Sequence, residues 1–94
     1  MLGGHSAPKP ADAESQQAAD SVRETAEQQL GRRFGVFNVQ SYTTQVVAGL
    51  NFKLKVKVDN DEYLHLFVYR PLPHTGLPHE LKSCEGGKRL EDAL

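Results

Sequence analysis

Apolar and polar residues repeat with the period of a helix in the first third of the chain. Between Asp12 and Leu30, an apolar residue recurs at every fourth position and forms one stripe. The members of this stripe are Ala18, Val22, Ala26 and Leu30, widened by Ala19. Asp12 suits the N-cap of the helix, and Gly31 suits the position after its last turn. The small side chains of the stripe predict a helix that packs closely against a sheet.

After Gly31 the pattern changes to the alternation that is typical of strands. The clearest case is Asn51 to Val58, in which apolar residues alternate with a row of lysines. Four strands are predicted: Phe34–Thr44, Asn51–Val58, Tyr63–Arg70 and Leu81–Glu85. Gly35 is expected to mark an irregularity in the first strand. Three prolines exclude a central strand between residues 71 and 78.

One long helix followed by antiparallel strands predicts an α+β domain, with the helix lying across one face of a sheet of four to five strands. The polar run Asp59 to Glu62 turns the chain at one end of this sheet. If consecutive strands pair as a meander, the turns at 45–49 and 71–78 both fall at the other end. Residues 1–94 are predicted to form a single domain, with a flexible arm at 1–11 and a frayed tail at 86–94.

Composition narrows the setting in which the protein works. The 94 residues include 11 basic and 12 acidic side chains, which leaves a net charge of −1. Because no field of one sign results, neither nucleic acid nor a membrane is expected as a partner. Cys84 is the only cysteine, so no disulfide can form within the chain, and a reducing compartment is favoured. No apolar stretch resembles a membrane span or a secretory signal, and a cytoplasmic location is predicted.

The turn at residues 45–49 is unusual because it is apolar. Its sequence is Gln45-Val46-Val47-Ala48-Gly49, whereas turns that face water usually carry Asn, Asp, Gly or Pro. A second apolar turn, Leu72-Pro73-His74, is predicted at the same end of the sheet. Two apolar turns side by side point away from the core of their own domain. They indicate a surface that becomes buried in the cleft of another protein.

Other residues suggest weaker functional hypotheses. A row of lysines with nearby aromatic side chains would suit a module that binds peptide or nucleic acid on the sheet surface. Its members are Lys53, Lys55, Lys57, Phe67 and Tyr69. Cys84 and the histidines would offer a nucleophile pair, but so small a domain cannot surround a substrate, and no enzyme is predicted. His74 and His79 lack the further ligands that a metal requires, and no cofactor is expected.

The apolar turns and their surroundings resemble those of the cystatin family. The run from Gln45 to Gly49 matches the QVVAG motif of that family. Further matches are Lys9-Pro10-Ala11, Ser41-Tyr42, Asn51-Phe52, His65-Leu66 and Leu72-Pro73-His74. The resemblance extends to about residue 85 and is to the type 1 branch, the stefins, because the disulfide cysteines of the secreted branch are missing.

The resemblance implies a cystatin fold and a reversible, tight-binding inhibitor of papain-like cysteine proteases such as cathepsins. It also implies that Gln45 to Gly49 is the first hairpin loop of an inhibitory wedge and that Leu72-Pro73-His74 is the second. Gly3 or Gly4 would be the glycine of the N-terminal arm, with Leu2 directed toward the non-primed subsites of the protease. The family further implies a monomer that can form a domain-swapped dimer through the first loop.

Overall fold

The computed structural model of the protein describes residues 4–94. In this part of the chain there are one α-helix and five strands, and two short 3-10 turns lie before β4 and β5. The helix and strands are β1 (Lys9–Pro10), α1 (Ala13–Leu30), β2 (Asn38–Val47), β3 (Gly49–Lys57), β4 (Tyr63–Arg70) and β5 (Glu80–Lys88). The 3-10 turns are Asp59–Asp61 and Pro73–Thr75.

The five strands form one antiparallel sheet whose order follows the chain, from β1 to β5. The predicted meander is confirmed, and so is the α+β cystatin-like fold, because α1 packs against one face of this sheet. β1 comes from the predicted arm, where Lys9 lies opposite Tyr42 and Pro10 lies opposite Ser41. The part of the arm nearest the helix is therefore an edge strand.

The core lies between the helix stripe and the even-numbered rows of β3 and β4. The helix contributes Ala18, Ala19, Val22 and Ala26, and the strands contribute Phe52, Leu54, Val56, Leu64, Leu66 and Val68. All of these side chains are almost fully buried. The small alanine side chains of the helix leave room for the larger side chains of the strands. The helix backbone can therefore lie close to the sheet.

Both predicted helix ends are confirmed. Asp12 accepts a hydrogen bond from the backbone N–H of Ser15 at 2.8 Å, and the Ser15 hydroxyl accepts one from the N–H of Asp12 at 2.9 Å. The other carboxylate oxygen of Asp12 accepts from the Tyr42 hydroxyl at 2.5 Å. That bond lowers the pKa of Asp12 and raises the pKa of Tyr42 to about 12. Gly31 ends the helix with a φ of 67°.

The prediction that a strand begins at Phe34 is wrong, because β2 begins at Asn38. Phe34 and Phe37 are buried in the connection that precedes the strand. Polar side chains of the helix hold this connection instead. Glu27 accepts from the N–H of Phe34 at 2.9 Å, and Arg23 donates to the Phe34 carbonyl. Satisfying these backbone groups from the helix removes the need for a neighbouring strand.

The expected irregularity also lies elsewhere. The register shift in β2 falls between Val39 and Ser41, whereas Gly35 belongs to the connection before the strand. The N–H of Gly35 donates to the Asp59 carboxylate at 2.8 Å, and that of Val36 donates to the same carboxylate at 3.1 Å. Asp59 thereby links the connection to the turn between β3 and β4.

The last strand is longer than predicted, and the tail beyond it lies against the sheet. β5 runs to Lys88 rather than ending at Glu85. A turn follows, in which the N–H of Arg89 donates to the side chain of Asp92 at 2.9 Å. The Lys55 ammonium donates to the backbone carbonyls of Arg89, Leu90 and Asp92. Although Lys55 belongs to the lysine row on the face away from the helix, these contacts leave it only 4% exposed.

Candidate functional site

Both apolar turns lie at one end of the sheet, as the meander predicts. The first loop, residues 45–49, joins β2 to β3, and the second loop, residues 71–79, joins β4 to β5. The polar turn at Asp59–Asp61 joins β3 to β4 and lies at the opposite end. We call the end that carries the first and second loops the loop end.

The first loop is a very tight hairpin. Val47 pairs with Gly49, so that Ala48 alone forms its apex. The side chain of Val46 is 71% exposed, Ala48 is also exposed, and Val47 is half-buried. The amide of Asn51 donates to the side-chain oxygen of Gln45 at 3.1 Å and joins the two strands just below the apex. The hairpin therefore presents a narrow apolar tip, and a side-chain hydrogen bond joins its two strands below that tip.

Gly49 is the one residue of the first loop that has no room for a side chain. Its φ is +119°, and a Cβ there would lie 2.4 Å from the carbonyl oxygen of Arg70 and 2.9 Å from the Tyr69 ring. The Tyr69 hydroxyl donates to the carbonyl of Ala48. Tyr69 and Arg70 end β4, the strand that leads into the second loop. The first loop therefore packs against the residues that come immediately before the second loop.

The second loop is also internally bonded. The N–H of Thr75 donates to the Leu72 carbonyl at 3.1 Å, and the Thr75 hydroxyl donates to the same oxygen at 2.7 Å. Gly76 follows with a φ of 66° and reverses the chain. Leu72 is 39% exposed, and Pro73 and His74 are exposed as well. The predicted binding residues of this loop therefore all face solvent.

Arg70 connects the loop end to the helix. Its guanidinium forms an ion pair with Glu14, in the first turn of α1, at 2.6 Å. The same group lies 5.4 Å from the centre of the buried Phe52 ring. Sequence reasoning missed Arg70 and gave Tyr69 a different role. The available signal was their position, since both residues come immediately before the second loop at the end of a strand.

The arm runs along β2 toward the loop end. The N–H of Ser6 donates to the carbonyl of Thr44 at 2.7 Å, and the Ser6 hydroxyl accepts from the N–H of Thr44 at 3.1 Å. Gly4, two residues nearer the start, is exposed, and a Cβ there would meet no atom within 4 Å. Gly3, the alternative arm glycine, lies outside the described residues, as does Leu2.

His5 attaches the arm to the outer face of the sheet. Its Nδ1 lies 3.1 Å from the Thr43 hydroxyl, and its ring meets the Phe67 ring edge to face at 5.8 Å. Burial lowers the pKa of His5, and the charge of Lys53 lowers this pKa further. The docked arm therefore favours the neutral imidazole.

The docking of the arm should weaken in acid. Because the pKa of His5 is lowered in the docked state, the undocked state binds more protons, so docking is strongest above about pH 6.5 and weakens as the pH falls through that value. We expect the NMR shift of the Thr43 amide to move between about pH 7.5 and about pH 5. His5→Gln should abolish this change, whereas a Thr43 shift that moves equally in both proteins would contradict the assignment to His5.

The sheet surface proposed as an alternative binding face is occupied at several points. The Lys55 ammonium is bonded to the tail, and the His5 ring packs against the Phe67 ring. The Tyr69 hydroxyl is bonded to the first loop. Lys57 forms an ion pair with Asp61 at 3.4 Å. A continuous basic and aromatic platform does not result from this arrangement, and nothing in it favours the binding of peptide or nucleic acid.

Cys84 does not have the environment of a reactive thiol. It is half-buried beside the core, and burial raises the pKa of its thiol, whereas a nucleophilic cysteine needs a lowered pKa. Within residues 4–94, no cluster of three potential metal ligands is found. In the same range, no helix has the length and apolar character needed to cross a bilayer.

Comparison with known proteins identifies the family. A family model described as the cystatin domain matches residues 3–90. The chain belongs to the cystatin family. Cystatin-B of Oplegnathus fasciatus is 40% identical over 94 residues, which cover all of this chain and 94% of that protein. The cystatin-B proteins of Paralichthys olivaceus and Homo sapiens are 44% and 40% identical over the same length, with 96% of each covered.

These relatives place the protein in the type 1 branch, the stefins, as the motifs predicted. The similarity covers residues 86–94 as well, where motif matches were not seen in the sequence. Membership of this family supports a cysteine protease inhibitor function for this protein.

Proposed function

We propose that this cystatin inhibits papain-like cysteine proteases, including cathepsins, by inserting its loop end into the active-site cleft. The observation that carries the proposal is the convergence of the apolar first loop, the second loop and the arm at one end of the sheet. Together they form a wedge in which Val46 is the most exposed large apolar residue among residues 4–94.

The free energy of binding would come from apolar side chains that face solvent in the free protein. Transfer of a valine or leucine side chain from water into a cleft contributes about 1.5–3 kcal/mol. Val46 and Leu72 are both exposed at the loop end and would gain from this transfer. Because association costs several kcal/mol in lost freedom, such anchors bind tightly only if the loops are already ordered.

The internal bonds of the wedge provide that order. Tyr69 ties the apex of the first loop to β4, and Thr75 closes the second loop on Leu72. A hairpin with a single residue at its apex cannot extend across a cleft as a substrate does. The wedge therefore blocks the cleft without offering a peptide bond to the catalytic thiol.

The arm would contribute by close approach to the protease. The free protein imposes no steric requirement for glycine at position 4, because a side chain there would extend into open space. Any need for Gly4 therefore comes from a partner that approaches the backbone closely. Gly3 remains the alternative for this role.

The cystatin would act as a monomer without catalytic activity of its own, in the cytoplasm. A domain-swapped dimer formed by opening the first loop would straighten the chain at Ala48 and remove the apolar tip. That dimer should not inhibit, so the proposal concerns the monomer. The single half-buried thiol of Cys84 suits a reducing compartment.

The direct test is a titration of active papain with purified monomer. We expect a linear loss of activity that ends at one cystatin per active enzyme and is recovered on dilution or displacement. No inhibition at micromolar protein would reject the proposed function. The alternative surface-binding function predicts instead an association that falls steeply with salt.

Val46→Thr should weaken papain inhibition roughly tenfold, because an isosteric hydroxyl would be buried without a partner. Val36→Thr is the matched control, since Val36 is also partly exposed but lies far from the loop end. Its N–H donates to Asp59, which belongs to the turn at the opposite end of the sheet. Inhibition constants measured by competition with a fluorogenic substrate give the comparison. Equal constants for the two variants would show that Val46 is not buried in the complex.

A further inference from the structure

The second loop carries a prominent apolar residue beyond Leu72-Pro73-His74. Leu77 is 65% exposed, and among the large apolar side chains of residues 4–94 only Val46 is more exposed. Both residues lie at the loop end. Leu90 is 56% exposed, but it follows β5 and lies near the other end of the sheet.

The backbone of Leu77 is held by the same turn that positions Leu72. The Thr75 hydroxyl donates to the Leu72 carbonyl at 2.7 Å and accepts from the N–H of Leu77 at 3.3 Å. Gly76 reverses the chain between Thr75 and Leu77 with a φ of 66°. Pro78 follows and restricts the backbone of Leu77 to extended conformations.

Two leucines are thus fixed on one short loop that faces the solvent. Leu77 contributes little to the core of the domain, because most of its surface is in water. A leucine exposed in this way gains free energy only when a partner covers it. The bonds of Thr75 lower the cost of ordering this loop on association.

We propose that Leu77 is a further protease-contact residue, which binds an apolar surface on the rim of the protease cleft next to the site of Leu72. This inference rests on the proposed function, because the partner is the same protease. It assigns to the second loop an apolar contact made by both of its leucines. A protease with charged residues at that part of the rim would be inhibited less well.

The test compares Leu77→Ala with Leu90→Ala, an equal truncation of an exposed leucine away from the loop end. We expect Leu77→Ala to raise the inhibition constant for papain by roughly tenfold and Leu90→Ala to leave it unchanged. Leu77→Met should inhibit papain to within about threefold of wild type, because methionine keeps most of the apolar area of leucine. Leu77→Asp should inhibit worse than Leu77→Ala, because a charge would be buried without a partner.

Added salt should leave the loss in Leu77→Ala unchanged, since an apolar contact is not screened. Thermal unfolding of each variant separates lost contact from lost structure, and we expect Leu77→Ala to keep the wild-type transition. If wild type inhibits papain and Leu77→Ala inhibits equally well, the inference about Leu77 is wrong and the proposed function stands. If wild type itself does not inhibit papain, the proposed function is wrong, and the inference about Leu77 is wrong with it.

Discussion

Gly49→Ala should raise the inhibition constant for papain by roughly 100-fold, the largest loss that we expect from a single methyl group in this protein. The added Cβ would lie 2.4 Å from the Arg70 carbonyl oxygen, which is part of the backbone. To accept this methyl group, the first loop must move away from β4. That movement breaks the bond between the Tyr69 hydroxyl and the Ala48 carbonyl and separates the two loops of the wedge.

Gly31→Ala is the matched control for this prediction. Gly31 also has a positive φ, of 67°, but a Cβ there would meet no atom within 4 Å, and the residue caps the helix away from the loop end. We expect Gly31→Ala to lower the free energy of unfolding by about 1–2 kcal/mol and to leave inhibition unchanged. Papain titration and thermal unfolding of both variants separate the effects. A Gly49→Ala protein that inhibits as well as Gly31→Ala would show that the contact between the loops is dispensable.

Lys55→Met should lower the free energy of unfolding by about 2–3 kcal/mol, because hydrogen bonds from a buried charged donor are removed. In this protein the Lys55 ammonium bonds to three carbonyls of the tail. For a domain of this size, such a loss corresponds to a fall in Tm of about 10–20 °C. Urea denaturation measures the free energy directly.

Lys53→Met is the control, because Lys53 belongs to the same row of β3 but keeps part of its side chain in water. We expect this change to alter stability by less than about 0.5 kcal/mol. In Lys55→Met, trypsin should also cut after Arg89 faster than in wild type, since the carbonyls of the tail lose their donor. Equal denaturation midpoints for the two methionine variants would show that the tail contributes nothing to stability.

Much of the fold could be predicted because it depends on local patterns. The cap at Asp12, the end of the helix at Gly31 and the alternation in β3 were all correct. Each is determined by the backbone preference of one residue or by the periodic burial of one face. The meander followed from the short turns between strands, and it placed both apolar loops at one end.

The errors arise where contacts between different elements of the fold override the local pattern. Phe34 lies in a run that has the composition of a strand, but the side chains of Arg23 and Glu27 bond its backbone groups, which a neighbouring strand would otherwise use. The three lysines of β3 are equivalent by alternation, yet the tail buries only Lys55. No local pattern indicates which of these lysines the end of the chain will cover.

The amino-acid pattern alone identified the first loop of the wedge, because an exposed turn with two valines and an alanine, and without Asn, Asp or Pro, is unusual in any fold. How these loops are supported became evident from the three-dimensional contacts. Gly49 must be glycine because Arg70 and Tyr69 lie against it, and those residues are about twenty positions away in the chain. The pattern of apolar and polar residues shows which side chains point away from the core. Close contacts between strands decide how rigidly the loops are held for a partner.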